Sequence, residues 1–131
     1  MKNMIFAMLI VSVLSASVIS CSQKNDETRI KFSSQDDVRE FKITAKQFAF
    51  EPSVIELNKG DKVRLIVQSS DVPHGISIPE YGINERLDAG KKATIEFVAD
   101  KEGTFTFFCS VFCGPGHGEM KGKIIVKQTA K

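Results

Sequence analysis

The chain has 131 residues, 18 of them basic and 16 acidic, for a formal net charge of +2. That length makes one domain the default, and the near-balance of charge leaves no basic run of the kind a nucleic-acid footprint needs. Ten phenylalanines, one tyrosine and no tryptophan are enough apolar bulk for a small sandwich core, and no internal repeat or low-complexity run breaks the chain.

Residues 1–21 read as an export signal. Lys2 supplies a short positive start, Met4 to Leu14 is a nearly unbroken apolar run, and Ser15, Ala16 and Ser17 are small. From Met4 to Ile19 the run is about 16 residues. A spanning helix wants about 20, so this run is closer to a signal peptide. Val18-Ile19-Ser20-Cys21 resembles a bacterial lipobox, in which the cysteine becomes the acylated first residue. A signal cleaved elsewhere and an uncleaved anchor helix are the alternatives. The lipobox and the anchor both place the domain outside the cytoplasm, tethered to a membrane. Residues 22–38 then read as a flexible tether. Ser22 to Asp37 is polar, with Ile30 and Phe32 its only large apolar residues, too few to offset the chain entropy of folding.

The folded domain is assigned to residues 39–131, and its pattern to 127 is β. Phe41, Ile43 and Ala45 alternate with Lys42, Thr44 and Lys46, the period of a half-buried strand. Phe48 and Phe50 follow, and Glu51-Pro52 breaks the run. Val54 to Leu57 is a short strand closed by the turn Asn58-Lys59-Gly60-Asp61. Val63, Leu65 and Val67 alternate with Lys62, Arg64 and Gln68; Ile66 spoils the alternation and predicts cover on both faces. Ile76 and Ile78 flank Ser77. Pro79 to Asp88 reads as irregular. Ala93, Ile95 and Phe97 form the next strand, Lys101-Glu102-Gly103 turns the chain, and Phe105 and Phe107 lead into Cys109. Lys123 to Lys127 closes the domain. About seven short strands with turn signals between them predict an all-β antiparallel sandwich, and no segment beyond the signal has a helical period.

The chemistry is concentrated between Cys109 and Met120, in Cys-Ser-Val-Phe-Cys-Gly-Pro-Gly-His-Gly-Glu-Met. Two thiols, an imidazole and a thioether share that stretch. These are soft or borderline donors that suit copper or zinc. The glycines at 114, 116 and 118 allow the backbone a tight wrap. The second histidine, His74, follows Pro73 upstream, in a loop that a sandwich brings to the same end. An odd cysteine count calls for an explanation: Cys21 is the lipid site, and Cys109 and Cys113 form a pair. Taken singly, the cysteine pair reads equally as a disulfide, His117 as a surface residue, Met120 as core filler and His74 as a turn residue. Their joint occurrence in two loops favours metal. A blue-copper site takes two histidines, one cysteine and a weak methionine, which leaves one thiol over. A closed zinc site takes both cysteines and both histidines and leaves Met120 idle. Two copper ions bridged by both sulfurs, each with one histidine and one weaker ligand, use the whole set.

Cys109, Ser110, Cys113, Gly114, His117 and Met120 match throughout a loop of the form Cys-Ser-x-x-Cys-Gly-x-x-His-x-x-Met. Asp71-Val72-Pro73-His74-Gly75 with Ile78-Pro79 match its companion segment. In both motifs, over about residues 41–127, the chain resembles the copper-A domain of cytochrome c oxidase subunit II. Nitrous oxide reductase shares the pattern in its electron-entry domain. The resemblance implies a cupredoxin-like Greek-key β-sandwich holding a mixed-valence dicopper centre. Cys109 and Cys113 would bridge the metals, His74 and Met120 would serve one copper, and His117 and the backbone carbonyl of Val111 the other. His117 is the ligand expected to reach the surface as the electron's way in or out, with Phe112 as a candidate for the apolar docking patch around it or for core packing. The partners implied are a cytochrome c-like donor or an oxidase subunit I. Three departures stand out: valine at 111, where many oxidase subunits carry an acid that helps hold magnesium; no tryptophan for an aromatic docking segment; and one apolar run in place of two membrane helices.

The function expected is single-electron transfer by an exported domain with no catalytic centre of its own. Copper delivery or sensing with the same ligands, and a zinc-binding or structural interaction domain, are the competing expectations. A Cys-His hydrolase is disfavoured, because no orienting acid stands out and two exported thiols tend to oxidise.

Overall fold

A computed structural model describes residues 30–129. The assigned signal, with Cys21, lies outside the described residues, as does the tether to residue 29. Nine strands follow one another: β1 (Val38–Lys46), β2 (Ala49–Glu51), β3 (Val54–Asn58), β4 (Lys62–Ser69), β5 (His74–Ile78), β6 (Ile83–Leu87), β7 (Lys92–Val98), β8 (Gly103–Phe108) and β9 (Lys121–Lys127). Single 3-10 turns cover Pro79–Tyr81 and His117–Glu119. No helix among the described residues is long and apolar enough to cross a membrane.

The strands form two sheets, in the orders β2-β1-β4-β7 and β3-β9-β8-β5-β6. Their inward residues make one core. β4 shows how: Val63, Leu65, Val67 and Ser69 are buried, while Lys62, Arg64, Ile66 and Gln68 face out and are half covered, because β1 and β7 flank the strand on either side. Phe50 and Phe107 meet between the sheets edge to face, with ring centroids 5.1 Å apart. Each such ring contributes roughly 1.5–3 kcal/mol by leaving water.

Two expectations change. The sandwich is mixed, since β1 pairs with β4 and β3 with β9 in parallel. Both pairs come from chain crossing between the sheets, and alternation along one strand says nothing of its neighbour's direction. Residues 79–88 are not irregular: after the turn at Pro79–Tyr81, β6 pairs with β5 over its whole length, with Ile83 half-buried and Leu87 buried. The described part of the stretch before β1, from residue 30, makes contacts of its own. Phe32 N–H donates to Glu96 Oε2 at 2.9 Å, Lys62 pairs with Asp36 and lies over the Phe32 ring, and β1 begins at Val38, inside the stretch assigned to the tether.

Candidate metal centre

Three strand ends set the donors. His74 opens β5, Cys109 follows the last residue of β8, and Met120 precedes the first residue of β9. β8 lies between β5 and β9, so residues far apart in sequence meet at one end of one sheet. Cys109 N–H donates to Met120 O at 2.9 Å and closes the neck of the loop. Within it Gly114 has φ of +136°, a conformation that strains any residue with a Cβ. His117 is carried by the 3-10 turn.

The sulfurs of Cys109 and Cys113 lie 3.9 Å apart and both cysteines are free. A disulfide needs about 2.05 Å, so the expectation of a stapled loop does not describe this arrangement. Two thiolates sharing a tetrahedral ion at about 2.3 Å stand about 3.8 Å apart, which is the spacing seen. His74 Nδ1 lies 3.8 Å from Cys109 Sγ, and His117 Nδ1 lies 3.8 Å from Cys113 Sγ. Met120 Sδ is 3.8 Å from Cys113 Sγ, and Val111 O is 3.1 Å from Cys109 Sγ. His74, His117, Met120 and the Val111 carbonyl thus each lie within 3.8 Å of one of the two sulfurs. Cys21 lies outside the described residues.

The donors differ in exposure. His74 is fully buried and the cysteines and Met120 are buried, whereas His117 is half-buried. Phe112 is 77% exposed with its ring centroid 5.7 Å from that of His117, so its core-packing alternative is excluded. Burial pushes the Cys113 thiol up to about 11, and the hydrogen bond and charge of Cys109 add to the rise. A cation that displaces the proton relieves that cost.

Supporting contacts orient the donors. Asp71 Oδ1 lies 2.7 Å from His74 Nε2. A proton on Nε2 would bond to that carboxylate and leave the Nδ1 lone pair on the Cys109 side. Burial works against the Asp71 carboxylate, but the Gln47 and Val72 N–H groups and the His74 ring outweigh it and hold it below the usual carboxylate range. Gln47 donates its side-chain N–H to the Cys113 carbonyl, and the Phe48 ring lies over Gly114 and Gly116. Ser110 Oγ donates to Asn84 Oδ1 at 2.7 Å, tying the loop to β6. Sequence reasoning missed Gln47, Phe48 and Asn84 as supports. Asp71 carried a signal, as an acid three residues before a histidine.

Residues 5–126 match the cupredoxin-like domain family. The chain belongs to that family. This cupredoxin-like domain is 39% identical over 90 residues to nitrous-oxide reductase of Cupriavidus necator, covering 66% of this chain and 14% of the reductase. It is 30% identical over 86 residues to cytochrome c oxidase subunit 2 of Thermus thermophilus, covering 66% of this chain and 64% of that protein. The chain thus spans less than two thirds of the length of each. Among solved structures, the periplasmic domain of subunit II of cytochrome oxidase of Bradyrhizobium japonicum superposes with a TM-score of 0.64 at 22% identity, over 71% of this chain and 86% of that one. The cupredoxin-like sandwich expected from sequence is the fold observed.

Proposed function

We propose that this cupredoxin-like domain transfers single electrons through a dinuclear copper centre held by His74, Cys109, Val111, Cys113, His117 and Met120. The observation that carries the reading is the placement of the two imidazoles against opposite sulfurs. Around one tetrahedral ion all donors lie within about 3.8 Å of one another. Here the donor atoms of His74, Cys109 and Cys113 lie within 4.8 Å of one another, and His117 falls outside that group. Two metal ions would let both histidines serve as ligands beside the two cysteines. The Val111 carbonyl beside Cys109 and the Met120 sulfur beside Cys113 would supply the weaker donors. Relatives named as an oxidase subunit 2 and as nitrous-oxide reductases favour the same chemistry.

A bound copper pair would supply a one-electron couple spread over both metals and both sulfurs. The chain's part is to hold the donors in one geometry for both redox states. Three of them sit at strand ends, where a rigid sheet fixes position better than a free loop does. His117, half-buried beside exposed Phe112, is the donor through which a partner would exchange electrons. That partner is a cytochrome c-like donor or an oxidase subunit I. The domain works outside the cytoplasm, held to a membrane by a lipid on Cys21 or by the apolar segment as an anchor.

The test is metal analysis with visible and electron-paramagnetic-resonance spectra of the purified protein after copper loading. Two coppers per chain, with a hyperfine pattern from one electron shared over two equivalent nuclei, is the expected result. A blue protein with one copper removes the dinuclear centre. A colourless protein with one zinc, or a Cys109–Cys113 disulfide without metal, removes the electron-transfer function. Rapid loss of copper to a modest chelator would instead favour copper delivery or sensing.

A further inference from the structure

Gln47 sits in the turn between β1 and β2 and offers no donor atom to the metal site, yet it touches both halves of it. Its backbone N–H donates to Asp71 Oδ2 at 2.7 Å, the same carboxylate whose Oδ1 faces His74 Nε2. Its side-chain amide donates to the carbonyl of Cys113. The next residue, Phe48, covers the loop just beyond: a Cβ on Gly114 would lie 2.9 Å from its ring and one on Gly116 2.4 Å. The β1–β2 turn therefore grips the His74 loop with one hand and the Cys113–Gly116 segment with the other.

We propose that Gln47 is a positioning residue that fixes His74 and Cys113 relative to each other, through Asp71 on one side and the Cys113 carbonyl on the other. The proposal rests on the metal-binding reading above and deepens it. The bond to Asp71 comes from the backbone and any residue but proline at 47 would make it; the bond to the Cys113 carbonyl comes from the side chain, and a residue that only completed a turn would not need it. The Asp71 carboxylate meets His74 and the Val72 N–H at Oδ1 and the backbone N–H of residue 47 at Oδ2, so the turn that orients the carboxylate is the one that the Gln47 side chain ties to the Cys113 carbonyl. Outer partners of this kind orient metal ligands, and their loss typically costs about 10-fold to 100-fold in metal affinity.

The experiment compares the full chain with Gln47→Met, Gln47→Asn, Asp71→Asn and the Gln47→Met/Asp71→Asn pair. Methionine keeps the length of the arm and loses its donor. Asparagine keeps the amide and is one methylene too short to reach. Gln47 is exposed, so both variants keep the fold, checked by far-ultraviolet circular dichroism. Each single variant is expected to release metal to a chelator about 10-fold to 100-fold faster than the wild type. The pair is expected to be no faster than its faster member, because one bridge is broken twice. In the metal-free protein, nitrogen NMR of the His74 ring should show a fixed Nε2–H form in the wild type and a mixture of forms in Asp71→Asn. Release at the wild-type rate in both Gln47 variants overturns the proposal. A wild type that holds one zinc or one copper overturns the dinuclear reading, while the release rates still decide the role of Gln47. A wild type that holds no metal overturns both.

Discussion

Cys109 Sγ and Cys113 Sγ face each other across 3.9 Å, near enough to share a cation and too far apart to be bonded. Closing that gap to the roughly 2.05 Å of a disulfide would pull Cys109 from His74 or Cys113 from His117. Oxidation and metal loading are therefore mutually exclusive states of one loop. Mass spectrometry after alkylation should find Cys109 and Cys113 both labelled in reduced, metal-free protein and both protected after copper loading. Labelling of the loaded protein at the metal-free rate would place the metal elsewhere.

Met120 is a test of ligand against filler. It is almost fully buried, and its sulfur lies 3.8 Å from Cys113. Met120→Leu conserves volume, so it should cost the metal-free domain less than about 1.5 kcal/mol. The visible spectrum and reduction potential of the copper-loaded protein should nevertheless move, because leucine offers no thioether. A spectrum identical to that of the wild type would make Met120 core packing alone.

Gly116 has an ordinary backbone, φ −91°, so its requirement for glycine is one of space. A Cβ there would lie 2.4 Å from Phe48 Cδ2, and forcing bulk into a filled site costs roughly 1–3 kcal/mol. Gly116→Ala should lower the thermal midpoint and speed metal loss. Phe48→Ala in the same chain should return part of both, since it removes the atoms that clash. Gly118→Ala is the control, having nothing within 4 Å of its added methyl. Equal effects at 116 and 118 would show that the Phe48 ring does not constrain the loop.

The donors were legible in sequence because their chemistry is local: four of the side chains fall between Cys109 and Met120, and His74 is the only other histidine. Strands such as β4 were legible because a period of two survives in Val63, Leu65 and Val67. β6 was not, because Pro79 and Gly82 announce a turn and its short run mixes Asn84, Glu85 and Arg86 with only two apolar residues at its ends. The parallel pairs were hidden for a different reason. Which strand lies beside β1 is decided by the core that both sheets bury, and that is a property of the whole chain. Gln47 was hidden for the same kind of reason: its role depends on Asp71 and Cys113, residues 24 and 66 positions away. The exposure of Phe112 had no sequence signal, since a loop has no period to say which way a ring points.

The pH response of the metal-free domain follows from Cys113. Burial, with the hydrogen bond and charge of Cys109, raises its thiol from 9.0 to about 11 in the folded state. Below pH 9 the thiol keeps its proton in both folded and unfolded chains, and its contribution to stability is fully present. Between pH 9 and 11 the unfolded chain loses that proton while the folded one retains it, so the unfolded state gains, by up to about 1.4 kcal/mol per pH unit. Stability should therefore fall as pH rises through this window. Cys113→Ser, which has no thiol to titrate, should lack that component, and denaturant titrations of both proteins at pH 8 and pH 10.5 read the difference directly. In the copper-loaded wild type the proton is already displaced, so the same titration should show no Cys113 component there. A parallel fall in the wild type and the serine variant would mean that other groups carry the alkaline loss and that the thiol is not held protonated by its surroundings.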